Sequence, residues 1–438
     1  MKNTLSEHTE PSIYSLSQLG LSPTHLDRHA VSITDRLVKA GFQAYLVGGC
    51  VRDLLLGLHP KDFDVSTNAE PEQIQALFKN CRLIGRRFRL AHIHFGRHVI
   101  EVATFRGPHM KHDSNKSHAH EDGRLLRDNV YGTLEEDAWR RDFTVNALYL
   151  DAQNKTVIDY VGGIDDHQHR TLRLMGDPAT RFKEDPVRLL RAVRFKAKLG
   201  FTLDKDTEAP MASLAGLLAG IPSARLYDEV LKLFLNKQAF QVFEGLQQYH
   251  LFEALFPQTD TCLQHATSDQ ALALIKQAMK NTELRLNNNQ HITPYFLFAC
   301  LLWEPVRRLT EQVRPSVNSD TQAIHAAANE VVAHQIGRVA IPKRMTAPMR
   351  EVWALQPRFH KQVGVRCLRF LDHPRFRAAY DFMLLRAEHG ELSPDIAKWW
   401  THIQTLGPAE QKKLARPSQF KHKKKPHKKS APKPAATD

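Results

Sequence analysis

The chain has 438 residues, 42% of them apolar, which is enough for about two to three domains with substantial cores and excludes a disordered or fibrous protein. Its 61 Lys and Arg outweigh 47 Asp and Glu, and the resulting formal charge of +14 favours a polyanionic partner such as nucleic acid. Five scattered cysteines (Cys50, Cys81, Cys262, Cys300, Cys367) form no Cys-x-x-Cys pair, which argues against a structural zinc site and suggests reduced thiols.

Residues 1–28 read as a polar, flexible extension. The start of the chain contains acids, unlike a secretory signal. From residue 29 to about 175 helix and strand patterns mix. Ile33–Lys39 reads as a helix stopping at Gly41. Ala44–Val47 reads as a buried strand, followed by the turn Gly48-Gly49 and a short helix ending near Gly57. Phe63–Ser66 is a second strand, and Pro71–Phe78 opens a helix with proline in its first turn. Arg89–Phe95 and Val99–Phe105 form a hairpin turning at Gly96-Arg97.

A break follows at Gly107–Gly123, which carries His109, His112, His118 and His120. Histidines in a polar loop more often do nothing specific than bind metal. From about 176 the pattern is helical to about 410, without a repeat. The most apolar stretch there, Tyr295–Trp303, is far short of the roughly 20 residues of a membrane span. A soluble, cytoplasmic protein is expected. Residues 411–438 contain Lys421, Lys423, Lys424, Lys425, Lys428 and Lys429 among prolines, a composition that opposes packing and fits either a solubilising tail or, together with the motifs in Leu46–Val65, an RNA anchor.

The chemistry concentrates in Leu46–Val65. Asp62 and Asp64 are two residues apart, and residues i and i+2 of a strand point to the same face. Asp-x-Asp alone is usually a solvated turn. Here it follows Gly48, Gly49 and Arg52, where a glycine turn at a helix start and a guanidinium suit phosphate oxygens. Acceptors for metal and donors for phosphate together point to a nucleotide-adding enzyme. Neither a Gly-x-Gly-x-x-Gly fingerprint nor a P-loop is present.

Leu46–Val65, Arg140–Leu148 and Glu184–Phe195 resemble the bacterial poly(A) polymerase and CCA-adding enzyme family, the class II nucleotidyltransferases. Leu83–Ile93, Ile341–Arg344 and His373–Asp381 are similar to the poly(A) polymerase branch. The resemblance implies an α/β (α+β) nucleotidyltransferase head with one small sheet at 29–175. A large all-α part follows: a nucleotide- and RNA-binding neck at 176–240, a body at 241–410 and the basic tail. It also implies addition of AMP from ATP to RNA 3′ ends with two Mg2+ ions, Mn2+ being an alternative, in RNA processing and decay, with decay proteins as partners through the tail.

Hard cations need oxygen ligands, hence Asp62 and Asp64, with Glu101 or Asp142 as third carboxylate. Glu101 lies on the face of its strand opposite Ile100, Val102 and Thr104. The resemblance makes Asp142 a catalytic residue meeting the sugar, Arg141 a phosphate ligand and Asn146 part of the same nucleotide-binding motif. Asp185, Arg188 and Arg191 recur every three residues, a spacing that places them on one helix face able to read a base edge. The same spacing also fits a helix laced with ion pairs. Two rivals remain: a tRNA CCA-adding enzyme, and a non-catalytic RNA-binding protein that keeps the fold.

Overall fold

The computed structural model describes residues 10–85, 89–107, 130–265 and 269–416. Its N-terminal part is built on eight strands: β1 (Ser12–Ser15), β2 (Ala44–Val47), β3 (Asp64–Thr67), β4 (Cys81–Ile84), β5 (Leu90–Phe95), β6 (His98–Thr104), β7 (Leu148–Asp151) and β8 (Thr156–Asp159). They lie side by side in the order β1-β8-β7-β2-β3-β6-β5-β4. The pair β3/β6 is parallel, and the other neighbours in this sheet are antiparallel.

The hairpin and the first helices lie where the sequence puts them, but the sheet is wider than the small one expected. Strands β4, β7 and β8, four residues each, add to it, and no adjoining motif marks them in the sequence. Strand β1 corrects the expectation of a flexible extension at 1–28. Ser12–Ser15 pairs with β8, and Leu16 behind it is buried in the head core. Ladder hydrogen bonds plus one anchored leucine order a segment whose composition looks like loop.

Helices α1 (Arg28–Lys39), α2 (Gly49–Leu55) and α3 (Pro71–Leu77) supply the apolar residues that cover one face of the sheet. Asp27 caps α1 by accepting from the His29 and Ala30 amides at 2.8 and 2.9 Å. Ile33, Leu37, Val51, Leu54 and Ile74 then bury against Leu46, Val65 and Val102. Strand alternation sends the intervening residues to the opposite face. There α4 (Leu134–Arg140), opened by a Thr133/Glu136 capping box, packs on Val47, Phe105 and Tyr149. The remainder of that face carries Asp64 and Glu101.

Beyond the sheet, α5 (Gly163–Gln168), α6 (Pro178–Glu184) and α7 (Val187–Leu199) lead into the helical part, with a short parallel pair β9 (Thr171–Leu172) and β10 (Thr202–Leu203) beside them. One buried cluster runs from Phe143 to Leu385, so the helical part is packed onto the base of the head and its core continues across residue 240. A second cluster, around Phe359, Phe370, Phe376 and Trp400, closes the end of the body. Among the described residues no helix is long and apolar enough to cross a membrane. The His-rich segment at 109–120 and the lysines at 421–429 lie outside the described residues.

Candidate active site

Asp64 is the first residue of β3, and the parallel register with β6 sets it directly across from Glu101. Asp62 stands just before the strand and is exposed. Burial raises the Asp64 pKa from 3.8 to about 6, the charges of Glu101 and Asp62 push the same way, and Arg141 opposes them. The three carboxylates therefore form a patch of under-compensated negative charge. Among the described residues no three His, Cys, Asp or Glu side chains stand at closed metal-site spacing. An all-oxygen, repulsive and open set fits a hard cation of the Mg2+ type, which takes one or two carboxylates and completes its shell with water and substrate phosphates.

The glycine turn sits beside this patch. Gly48 has φ 75° and ψ −126°, a conformation close to glycine-only, and a Cβ there would approach the Arg141 guanidinium to 3.3 Å. Gly49 opens α2. Arg141 is fixed from below. Its Nε and Nη2 donate to Asp137 Oδ2 at 3.2 and 3.0 Å, and Nε also donates to Tyr149 Oη at 2.9 Å. Tyr149 in turn donates to Asp137 at 2.6 Å. Burial opposes ionisation of Asp137, but Arg141, Arg106 and the Tyr149 hydroxyl outweigh it and hold the carboxyl below its usual range. Asp137 and Tyr149 escaped the sequence reading, although Asp137 stands four residues before Arg141 on a helix, a spacing that pairs charges.

Arg52, read from sequence as an open phosphate donor, is buried and already engaged. It donates to Asp53 Oδ1 at 2.8 Å and to Asn146 Oδ1 at 2.6 Å. Asn146 passes a 3.1 Å bond to Asp142 Oδ1, and Arg191 of α7 donates to Asp142 Oδ2 at 2.7 Å. A continuous chain thus links the glycine-turn helix to the neck. Burial alone would raise the Asp142 pKa. Arg191, Asn146 and the Phe143 amide reverse this and hold it far below the usual carboxylate range. With both oxygens committed inside the protein, Asp142 is fixed as a charged structural node, whereas Glu101 faces Asp64.

The base-reading trio does not share one helix face. Pro186 disfavours helix at the residue before it, so α6 ends at Glu184 and Asp185 is extended at φ −144°, ψ 91°. Asp185 accepts from Arg225 at 2.7 Å, while Arg188 donates to Glu184 at 3.0 Å and to the Arg181 carbonyl at 2.6 Å. Asp185 and Arg188 are neighbours at the helix junction, and Arg191 belongs with Asp142. Arg194, which the sequence reading passed over, stacks on Phe195 at 4.7 Å, and that ring also carries Arg52 and Arg191 at 5.2 Å. Burial and the neighbouring Arg191 charge lower its pKa, and its buried Nε has no hydrogen-bond partner. Lys198, which bonds Asp53 at 3.1 Å, adds a further positive charge beside these arginines.

The chain is similar to known proteins over most of its length. Residues 44–173 match the Poly A polymerase head domain, 200–263 the probable RNA and SrmB-binding site of polymerase A, and 317–434 the polymerase A arginine-rich C-terminus. Poly(A) polymerase I of Salmonella typhimurium is 46% identical, covering 90% of this chain and 86% of that one. The Haemophilus influenzae poly(A) polymerase I is 44% identical over 97% and 94% of the two chains. A Lactobacillus helveticus CCA-adding enzyme is 36% identical over 50% of this chain and 53% of its own. In fold, the chain resembles an apo CCA-adding enzyme with a TM-score of 0.63 at 20% identity, covering 89% and 85% of the two chains. It likewise resembles the Thermotoga maritima CCA-adding enzyme complexed with tRNA at 0.59 and 19%, with the same coverage. Its head, RNA-binding and C-terminal regions all matched and its relatives near-complete in length, the chain belongs to the poly(A) polymerase family of nucleotidyltransferases.

Proposed function

We propose that the chain is a template-independent polymerase that adds AMP from ATP to RNA 3′ ends and releases pyrophosphate, acting in the cytoplasm in RNA processing and decay. The observation that carries this reading over CCA addition is coverage. Poly(A) polymerase I relatives align over 90% and 97% of this chain, whereas the CCA-adding relative aligns over half of it.

In this reading Asp62, Asp64 and Glu101 hold two Mg2+ ions, with Mn2+ able to replace them. When bound, the ions lower the pKa of the RNA 3′-hydroxyl and neutralise the departing pyrophosphate. Gly48 and Gly49 let the backbone approach the triphosphate beside Arg141, whose guanidinium is held ready by Asp137 and Tyr149. Asp142 serves the reaction by positioning: it fixes Asn146 and Arg191, and through Asn146 it fixes Arg52. Arg52, Arg191 and Arg194 supply the positive potential that draws phosphate into the cleft. Asp185 and Arg188 at the helix junction read the base edge, and Arg225 sets the Asp185 carboxylate. Lys421, Lys423, Lys424, Lys425, Lys428 and Lys429 anchor RNA of varied sequence and offer a docking point for decay proteins.

The test is extension of two RNAs, an unstructured oligomer and a tRNA ending before its CCA, with each triphosphate alone and with ATP plus CTP. Long tails from ATP alone on the oligomer are expected. Addition that requires CTP, stops after three nucleotides and is confined to the tRNA would make this a CCA-adding enzyme. No addition to either RNA, with RNA binding retained, would leave a non-catalytic RNA-binding protein.

A further inference from the structure

The hairpin β5/β6 places His92 directly across from Glu101, on the side away from Asp64. Arg82 of β4 stands across from His92 in turn. Four neighbouring strands thus carry the transverse row Arg82, His92, Glu101, Asp64 on one face, with adjacent Cβ atoms about 5 Å apart in such pairs. His92 Nε2 lies 3.2 Å from Glu101 Oε1. The imidazole side chain is 21% exposed and the carboxylate 50% exposed. Nε2 itself is shielded from water and makes no well-directed hydrogen bond as it stands. A shielded ring nitrogen beside a carboxylate, without another partner, is left unsatisfied unless a small rotation aligns it with that carboxylate.

Glu101 has freedom that Asp64 lacks. It is longer by a methylene, half-exposed, and repelled by Asp64. Left to itself it would swing into solvent, away from the point where its charge meets that of Asp64. A donor on its far side limits that swing, in the way that groups behind a metal-ligating carboxylate fix its orientation and raise metal affinity.

We propose that His92 is a positioning residue that holds the Glu101 carboxylate in the row beside Asp64, restrained from swinging into solvent, and so sets the divalent-cation affinity of the site. The proposal rests on Glu101 being a metal ligand, and the experiment separates the two claims. Mn2+ binding to the full chain, without ATP or RNA, is measured by the loss of the free-ion electron paramagnetic resonance signal. The wild type is compared with Glu101→Gln, His92→Phe and His92→Gln. His92→Phe keeps a ring of similar size and removes the polar contact, whereas His92→Gln keeps a donor. Thermal melting of each variant excludes loss of fold from the comparison.

His92→Phe is expected to weaken Mn2+ binding by about tenfold or more, and His92→Gln to recover most of that loss. In the double variant His92→Phe with Glu101→Gln, the loss should not exceed that of Glu101→Gln alone. Wild-type affinity in His92→Phe alongside weakened binding in Glu101→Gln overturns the positioning role and leaves the ligand reading standing. Equal losses in His92→Phe and His92→Gln also overturn it, because a donor at this position would then not restore binding. Wild-type affinity in Glu101→Gln removes the ligand reading and the proposal with it.

Discussion

Replacing Asp64 with Asn is expected to stabilise the protein at neutral pH while abolishing nucleotide addition. The reason is the rise of the Asp64 pKa from 3.8 to about 6, led by burial and reinforced by Glu101 and Asp62. A carboxyl whose pKa is raised on folding holds its proton more tightly in the folded state. Its contribution is therefore fully favourable below about pH 4 and is lost as pH rises through about 6. At about 1.4 kcal/mol for each tenfold change in proton affinity, the ionised folded state at pH 7.5 carries a penalty of up to about 3 kcal/mol. Water at the open edge of the site reduces that figure, so about 1–3 kcal/mol is expected from Asn, which keeps the shape and drops the charge. For a head of this size that corresponds to several degrees in melting temperature. The assay is thermal melting of wild type and variant at pH 7.5 and pH 4.5 in EDTA, then at pH 7.5 with Mg2+. The variant should melt higher at pH 7.5 in EDTA, the gap should shrink at pH 4.5, and Mg2+ should raise the wild type more than the variant. A variant equal to or less stable than wild type at pH 7.5, or a gap that does not change with pH, would refute the electrostatic account of the site.

Gly48→Ala forces a Cβ into a conformation at φ 75° and against the Arg141 guanidinium. A strain of about 1–3 kcal/mol and a raised KM for ATP are expected, and an unchanged KM would argue that the turn does not meet the triphosphate. Asp137→Ala strands the half-buried Arg141 beside Tyr149 and should cost about 3–5 kcal/mol in urea unfolding. A loss below about 1 kcal/mol would mean that the pair is no better than a surface bridge. Truncation after Arg416 should raise the KM for RNA and flatten its dependence on salt, since fewer counterions are released. An identical salt slope would assign the tail to solubility.

The local elements of the head were legible because each obeys a short-range rule. Periodicity marks α1, the Gly48-Gly49 turn marks the start of α2, Pro71 opens α3, and Gly96-Arg97 turns a hairpin whose alternation turns Glu101 away from Ile100 and Val102. Counting back from that turn would even have given the pairing of His92 with Glu101, a signal left unused. The strands β4, β7 and β8 were not legible, since four residues carry too little alternation to stand out from loop and, unlike β2 and β3, these adjoin no glycine turn or Asp-x-Asp pair. Strand β1 was hidden for a different reason, as its order comes from its neighbour β8 and from Leu16 reaching the core.

The sequence by itself determined the chemistry available: paired aspartates beside a glycine turn, an Arg-Asp motif, and a Glu-Asp-Pro helix junction. Only the tertiary structure decided how those groups share the work. Parallel pairing of β3 with β6, set by a crossover through three intervening elements, chooses Glu101 as the carboxylate across from Asp64. Docking of α7 against the head commits Asp142 to Arg191 and Asn146, and burial of Arg52 turns an expected phosphate donor into a strut. These outcomes depend on residues about 40 to 95 positions apart meeting in a low-dielectric junction, where an unpaired charge is costly and partners are therefore taken from whatever the fold brings near. Spacing along a chain records none of that.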